Sequence, residues 1–277
     1  MSPKYDPKYI SQFYDAYGER EWQRLEASPS AKVNFHIHCW YLEQFIKSGN
    51  QVLEAGAGPG RFTIELAKRG AKITVGDISP GQLELNRLKV QEAGCEASVL
   101  HREILDITDL SSLANKSFDA VVCYGGPLSY VMDQADAAMK ELLRVTKRDG
   151  YVLLSVMSLL GSTQKYLSAL LELAQQHGLE PVQQVCDTGD LHGDLSNGHR
   201  CHMYRWSELK ALLGRHPCTI VAASAANFLS IRNEETLQQI ENEPEKWNAF
   251  LKWELEYCKE PGALDGGTHL IVVVRRD

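Results

Sequence analysis

The chain has 277 residues, is 44% hydrophobic and 23% charged, and carries a formal net charge of −7. This length suits one α/β domain with insertions, or a domain plus a cap, and the composition is that of a globular fold. The acidic balance argues against a face that wraps a phosphate backbone, and no run approaches the ~18 apolar residues of a membrane span, so neither nucleic acid nor membrane is expected as a partner.

In chain order, residues 4–27 read as a polar, aromatic-rich helix with Tyr9, Phe13 and Tyr17 at i, i+4 spacing. Ser28-Pro29-Ser30 breaks it and starts a second helix, which runs to about Lys47 with Val33, Ile37, Tyr41 and Phe45 on one face. This pair, residues 1–48, precedes the first strand and is an addition to the domain over 49–277.

Gln51–Gly60 is the stretch the rest is organised around. An apolar strand ends in glycines at alternate positions, and Arg61–Arg69 then carries apolar residues at helical spacing. Strand, glycine turn and helix in that order set unpaired helix N–H groups beside the strand's carboxyl end, a nucleotide-type binding turn. A dinucleotide turn wants G-x-G-x-x-G, whereas here the spacing is G-x-G-x-G, Arg61 fills the last dinucleotide position, and Glu54 stands two residues before the first glycine. Ala71–Asp77 is a second strand ending in a carboxylate, placed where a Rossmann-like unit sets an acid on the ribose hydroxyls.

Ile78-Ser79-Pro80 and a helix from Gly81 to about Ala93 follow, then a third strand (97–101), the segment Ile104–Leu110 with Asp109 as a helix N-cap, and a fourth strand from Ser117 that exits through Tyr124-Gly125-Gly126-Pro127 to Tyr130. A helix over about 133–144 and a strand over 150–156 continue the alternation. From 157 to 206 the chain holds an amphipathic helix (164–177) and a long polar, glycine-rich segment (187–206) with His192, His199 and His202. Loops this long in compact domains are usually functional or disordered, and the histidine order fits no tight ligand pattern, so no metal is expected. A helix capped by Ser207, a strand over 219–224, a helical region over 234–257 and a last strand over 268–274 close the chain. Seven scattered cysteines without a C-x-x-C pair read as reduced thiols, and Met1–Tyr5 has no apolar leader, so a cytoplasmic protein is expected.

Acidic-x-G-x-G-x-G at Glu54–Gly60, Asp-Ile-Ser-Pro at 77–80 and Phe118-Asp119 with four apolar residues resemble motifs I, II and IV of class I S-adenosylmethionine-dependent methyltransferases of the bacterial small-molecule type. Two positions depart from the family's usual form: Leu105 stands where glycine is common, and Lys147-Arg148-Asp149-Gly150 where Lys/Arg-Pro-Gly-Gly is usual. The resemblance implies a Rossmann-like, doubly wound α/β fold with a seven-stranded sheet in order 3-2-1-4-5-7-6 and strand 7 antiparallel. It implies S-adenosyl-L-methionine as cofactor, held by Glu54, Ala55, Gly56, Gly58, Gly60, Arg61, Asp77, Ile78, Asp106, Ile107, Tyr124 and Gly125, with Tyr17 from the N-terminal helices. Those helices would act as a lid, and the insertion over about 157–206 as a cap on the acceptor side.

The implied reaction is in-line methyl transfer to an O, N or S nucleophile, in which the protein supplies alignment and, for a protonated acceptor, a base. Tyr14, His36, Tyr130 and His199 are the candidates for basic or orienting roles, with Tyr17 and His202 behind them. The absence of an Asn/Asp-Pro-Pro-Tyr sequence after the fourth strand favours a small-molecule acceptor, taken by a monomer or homodimer. The rivals are a non-catalytic cofactor-binding module, an RNA or protein methyltransferase, and an NAD-dependent oxidoreductase, against which Arg61 counts.

Overall fold

The computed structural model describes residues 4–277; the first three, part of the stretch read above for a leader, lie outside the described residues. Helix α1 (Pro7–Tyr17) starts at Asp6, whose carboxylate accepts the Tyr9 N–H, and ends at Gly18. Gly18 has φ 56° and ψ −134°, so the single helix expected over 4–27 breaks there and α2 (Glu19–Arg24) restarts. Helix α3 (Pro29–Phe45) begins as its sequence dictates, with Ser28 accepting the Ala31 N–H and Pro29 in the first turn.

The domain then runs β1 (Gln51–Ala55), α4 (Arg61–Lys68), β2 (Lys72–Asp77), α5 (Pro80–Glu92), β3 (Val99–Ile104), β4 (Phe118–Cys123), α6 (Pro127–Tyr130), α7 (Ala135–Val145) and β5 (Thr146–Met157). The insertion follows as α8 (Leu159–Lys165), α9 (Leu167–His177), α10 (Leu179–Thr188) and a two-stranded pair, β6 (Asp190–Leu191) with β7 (Cys201–His202). The chain closes with α11 (Trp206–Leu213), β8 (Cys218–Ala225), α12 (Glu234–Ile240), α13 (Pro244–Tyr257) and β9 (His269–Arg276).

The seven-stranded sheet has the order β3-β2-β1-β4-β5-β9-β8, with β9 antiparallel to both β5 and β8. Setting the small β6–β7 pair aside, this is the expected 3-2-1-4-5-7-6 topology with strand 7 antiparallel. Both faces of the sheet are covered, which is why β1 and β4 read as continuous apolar runs and not as alternating ones. On one face Leu53, Val121 and Leu154 pack against Met139 and Leu142 of α7 and Leu209 of α11. On the other, Val52, Ile73, Val122 and Val273 pack against Ile37, Tyr41 and Leu42 of α3 and Leu66 of α4.

The residues grouped as an N-terminal lid therefore divide. Helix α3 is core, with Ile37 and Leu42 fully buried, while α1 and α2 lie over the glycine turn and against α5. Two local readings change for tertiary reasons. The first N–H of α11 is taken by the distant Asp265 carboxylate at 2.6 Å, so Ser207 is not its cap. Asp109 accepts the Ser111 N–H at 3.1 Å in a turn and starts no helix.

Candidate active site

The glycine turn between β1 and α4 is fastened from below. Asp77, at the end of β2, accepts the Gly58 N–H on Oδ2 at 2.7 Å and the Ser79 N–H on Oδ1 at 2.9 Å. Each oxygen keeps a lone pair for a further donor. Burial pushes this carboxyl up to about 6, against the pull of the two backbone N–H groups. Gly56 sits at φ +76°, and a Cβ there would lie 2.3 Å from Pro127 Cγ, so protein packing alone requires glycine. Gly58, at φ +53°, is different: the nearest atom to a Cβ would be Glu21 Cγ at 3.8 Å, an ordinary contact, so packing does not fill this position and it lines the cleft above the turn.

Gly56, Gly58, Asp77, Ile78, Asp106, Ile107, Tyr124 and Gly125 line one cleft beyond the carboxyl ends of the strands, as the motifs imply. Arg61 also borders it, but its guanidinium is engaged by α2 and the turn after it: it stacks 3.7 Å from the Trp22 ring centroid and pairs with Glu26 at 2.6 Å. Three expected contacts stand away from the cleft. Ala55 is core, Gly60 packs against Asn86, and Glu54 lies behind the turn, accepting the Thr63 hydroxyl at 2.5 Å while Asn86 donates to Thr63 at 2.8 Å. Burial pushes Glu54 up to about 8, so it supports the turn from within the core.

The sequence reading missed Gln82, Arg24 and Glu21 in the same cleft. Gln82 Nε2 donates to the Tyr14 and Gly18 carbonyls at 2.9 and 3.2 Å, and its Oε1 is a buried acceptor without a partner. A carboxylate with spare lone pairs, an orphaned amide oxygen, a turn with the cleft above it and apolar walls from Ile78 and Ile107 fit a nucleoside with a polar tail.

A second chamber of about 640 Å³ adjoins the cleft across Tyr14, Glu21, Arg24, Gly125 and Tyr130. Helix α1 gives it Phe13, Tyr14 and Tyr17, α3 gives Asn34, α8 gives Ser162 and Lys165, the insertion gives Asn197 and His199, and β9 gives His269. Tyr17 thus faces this chamber and not the cleft, stacked on Phe13 at 5.9 Å. Tyr14 meets Tyr130 edge to face at 5.4 Å, and His199 Nε2 lies 3.4 Å from the Tyr130 hydroxyl. Burial raises both phenols far above their usual range. Burial, with Arg24 adding to it and Glu21 opposing, lowers His199 and favours the neutral imidazole.

The other histidines separate. His36 is half-buried on α3 and lines neither chamber. Its neighbour His38 is the interior one: Nδ1 donates to the Asn34 carbonyl at 2.8 Å, Nε2 has no partner, and the ring meets Tyr124 at 4.7 Å. The spacing Asn34, Ile37, His38, Tyr41 was the signal that could have found it. His202 is clamped between Asp190 at 2.7 Å and Glu208 at 2.8 Å, outside both chambers. Burial works against its charge, and the two carboxylates overcome that and raise it to about 9. The segment 187–206, expected as a long loop, instead ends α10 and forms the β6–β7 pair, whose joining turn carries His199.

Helix α1 roofs both chambers. Asp15 Oδ1 accepts the Ser79 hydroxyl at 2.5 Å and the Gly81 N–H at 2.8 Å, fastening α1 to the start of α5. At the other end the Tyr9 hydroxyl donates to the Gly198 carbonyl and Arg200 stacks on the Tyr9 ring at 3.8 Å.

A family profile described as a methyltransferase domain matches residues 52–150. Ubiquinone biosynthesis O-methyltransferase of Alkalilimnicola ehrlichii is 30% identical over 161 residues, which cover 57% of this chain and 62% of that protein. The chain thus spans under two thirds of the length of this relative. Among solved structures, the [4+2]-cyclase SpnF superposes with a TM-score of 0.62 at 16% identity, covering 99% of this chain and 98% of that one. A 1,6-didemethyltoxoflavin-N1-methyltransferase of Burkholderia thailandensis, solved with S-adenosylhomocysteine, gives a TM-score of 0.56 at 15% identity over 100% of this chain and 92% of that one. At these identities the solved structures speak to the fold. Among the described residues, no helix is long and apolar enough to cross a membrane.

Proposed function

We propose that this chain, whose residues 52–150 match a methyltransferase domain, is a class I S-adenosylmethionine-dependent methyltransferase that methylates a small molecule held in the second chamber. When bound in the cleft, the cofactor supplies a methyl group on a sulfonium centre, which needs no covalent help from the protein. Asp77 would accept the ribose hydroxyls on its two spare lone pairs, Gln82 Oε1 would take a further donor, and Ile78 and Ile107 would flank the base. Gly125 and Tyr130 border both spaces, so this wall is where donor and acceptor would meet.

The observation that carries the acceptor side is the pairing of a neutral His199 with Tyr130 at 3.4 Å on that wall. An acceptor X–H must lose its proton as the X–C bond forms. Of the four candidates Tyr14, His36, Tyr130 and His199, only His199 both lines the chamber and offers an unprotonated nitrogen near neutral pH. Tyr14 and Tyr130, held as phenols, would orient the acceptor as donors. The relative from Alkalilimnicola ehrlichii is named as an O-methyltransferase, which supports a hydroxyl acceptor. The roof of α1 would keep water out during transfer.

The test is to incubate the protein with methyl-labelled cofactor and fractionated metabolites and follow label into acceptor. His199→Gln should lower turnover by roughly 10²–10⁴-fold, the range of a lost general base, with cofactor affinity within about threefold. A module that binds the cofactor without consuming it would transfer no label to any fraction, and NAD-dependent stabilisation without stabilisation by S-adenosylhomocysteine would overturn the cofactor assignment.

A further inference from the structure

The second chamber is more basic than the protein that contains it. The whole chain carries −7, yet the charged side chains on this chamber are Arg20, Arg24, Lys165 and a single carboxylate, Glu21. Glu21 is spent on Arg24, whose Nε reaches both of its oxygens at 3.0 Å and whose Nη2 reaches one at 2.5 Å. Arg20 instead donates to the Tyr17 and Ala16 carbonyls at 3.0 Å and lies 4.5 Å from the Tyr17 ring centroid. Lys165 Nζ is 5.6 Å from the Tyr166 ring centroid. Among the described residues, neither cation has a carboxylate within 4.0 Å, whereas Arg24 on the same chamber has Glu21 at 2.5 Å.

Both cations line the chamber from exposed positions, Arg20 on α2 and Lys165 on α8. Phe13 and Tyr17, whose rings lie 5.9 Å apart and within 18° of parallel, line the same chamber as aromatic walls. Burial lowers the Lys165 ammonium, against the pull of the Glu234 carboxylate.

We propose that the acceptor is an anionic molecule with a flat apolar body, its carboxylate or phosphate received by Lys165 and Arg20 and its body laid along Phe13 and Tyr17. This rests on the second chamber being the acceptor site. Two cations from separate helices would fix the acceptor by its head and leave the far end to face Tyr130 and His199. They would also gather anions to an otherwise acidic molecule, so binding should weaken with salt.

The experiment is isothermal titration of the protein saturated with S-adenosylhomocysteine, using 4-hydroxybenzoate, 4-hydroxyphenyl phosphate and the neutral 4-hydroxybenzyl alcohol. At least one anion should bind about tenfold or more tightly than the alcohol, added salt should erode that preference, and the tighter anion identifies the head group. In the double variant Lys165→Met, Arg20→Gln the preference should fall below about threefold, with S-adenosylhomocysteine affinity within about twofold of the parent. Equal binding of the alcohol, a preference that survives in the double variant, or no binding of any probe at millimolar concentration would overturn the proposal. Failure of S-adenosylhomocysteine to bind the parent would instead refute the methyl-transfer reading, and the same probes titrated into the ligand-free protein would still decide the charge preference.

Discussion

Replacing Asp77 by Asn separates what this carboxylate does for the fold from what it does for the cofactor. In the folded protein burial raises its pKa from an ordinary 3.8 to about 6. The native state therefore holds a proton that the unfolded chain has lost, and stability falls as pH rises between those two values. At about 1.4 kcal/mol per unit, the charge costs roughly 3 kcal/mol at neutral pH. Asn removes that cost and can still accept the Ser79 N–H, now 2.9 Å from Oδ1. Its amide NH₂ cannot accept the Gly58 N–H, now 2.7 Å from Oδ2, and losing that charged hydrogen bond costs about 1.5–3 kcal/mol. The two terms nearly cancel, so Asp77→Asn should unfold within about 1–2 kcal/mol of the parent at pH 7. Between pH 4 and 6 its stability should lack the decline the parent shows. Cofactor affinity has no such compensation: if Asp77 accepts from the ribose as proposed, one charged acceptor is lost, and binding should weaken by about 10–100-fold. Denaturant melts across pH, paired with calorimetric titration of S-adenosylhomocysteine, read both quantities. Unchanged cofactor affinity, or a loss of folding stability above about 4 kcal/mol, would refute the reasoning.

Three further outcomes follow from the same geometry. His202, raised to about 9 between Asp190 and Glu208, stabilises fully below its ordinary pKa near 6.5 and loses that contribution as pH rises through 9. His202→Gln should cost up to about 3 kcal/mol at pH 6 and less at pH 9.5, read by thermal melts. Asp15→Ala releases α1 from Ser79 and Gly81 and should speed both binding and release of S-adenosylhomocysteine in stopped-flow measurements, with about 1 kcal/mol lost in stability. Gly58→Val should abolish cofactor binding, because its side chain enters the cleft above the turn, while Gly56→Ala, driven into Pro127, should lower the melting temperature even without ligand.

What the sequence by itself determined is the cofactor half of the protein. The glycine turn, Asp77 and the exit of β4 are each set by a few consecutive residues, so their chemistry is carried by local spacing, and the alternation of strands and helices then admits one common sheet order. Only the tertiary structure decided the second chamber. Its wall is assembled from α1, α3, α8, the β6–β7 turn and the start of β9, segments with no local pattern in common, so no short window records their meeting. The same reason explains the individual corrections. His38 and not His36 faces inward because α3 packs on the sheet along Ile37 and Tyr41. Arg61 is claimed by Trp22 and Glu26, and Glu54 by Thr63. Asp265 displaces Ser207 as the cap of α11. In each case a donor, acceptor or ring took a partner that the fold brought to it, outside the short motif that suggested its role.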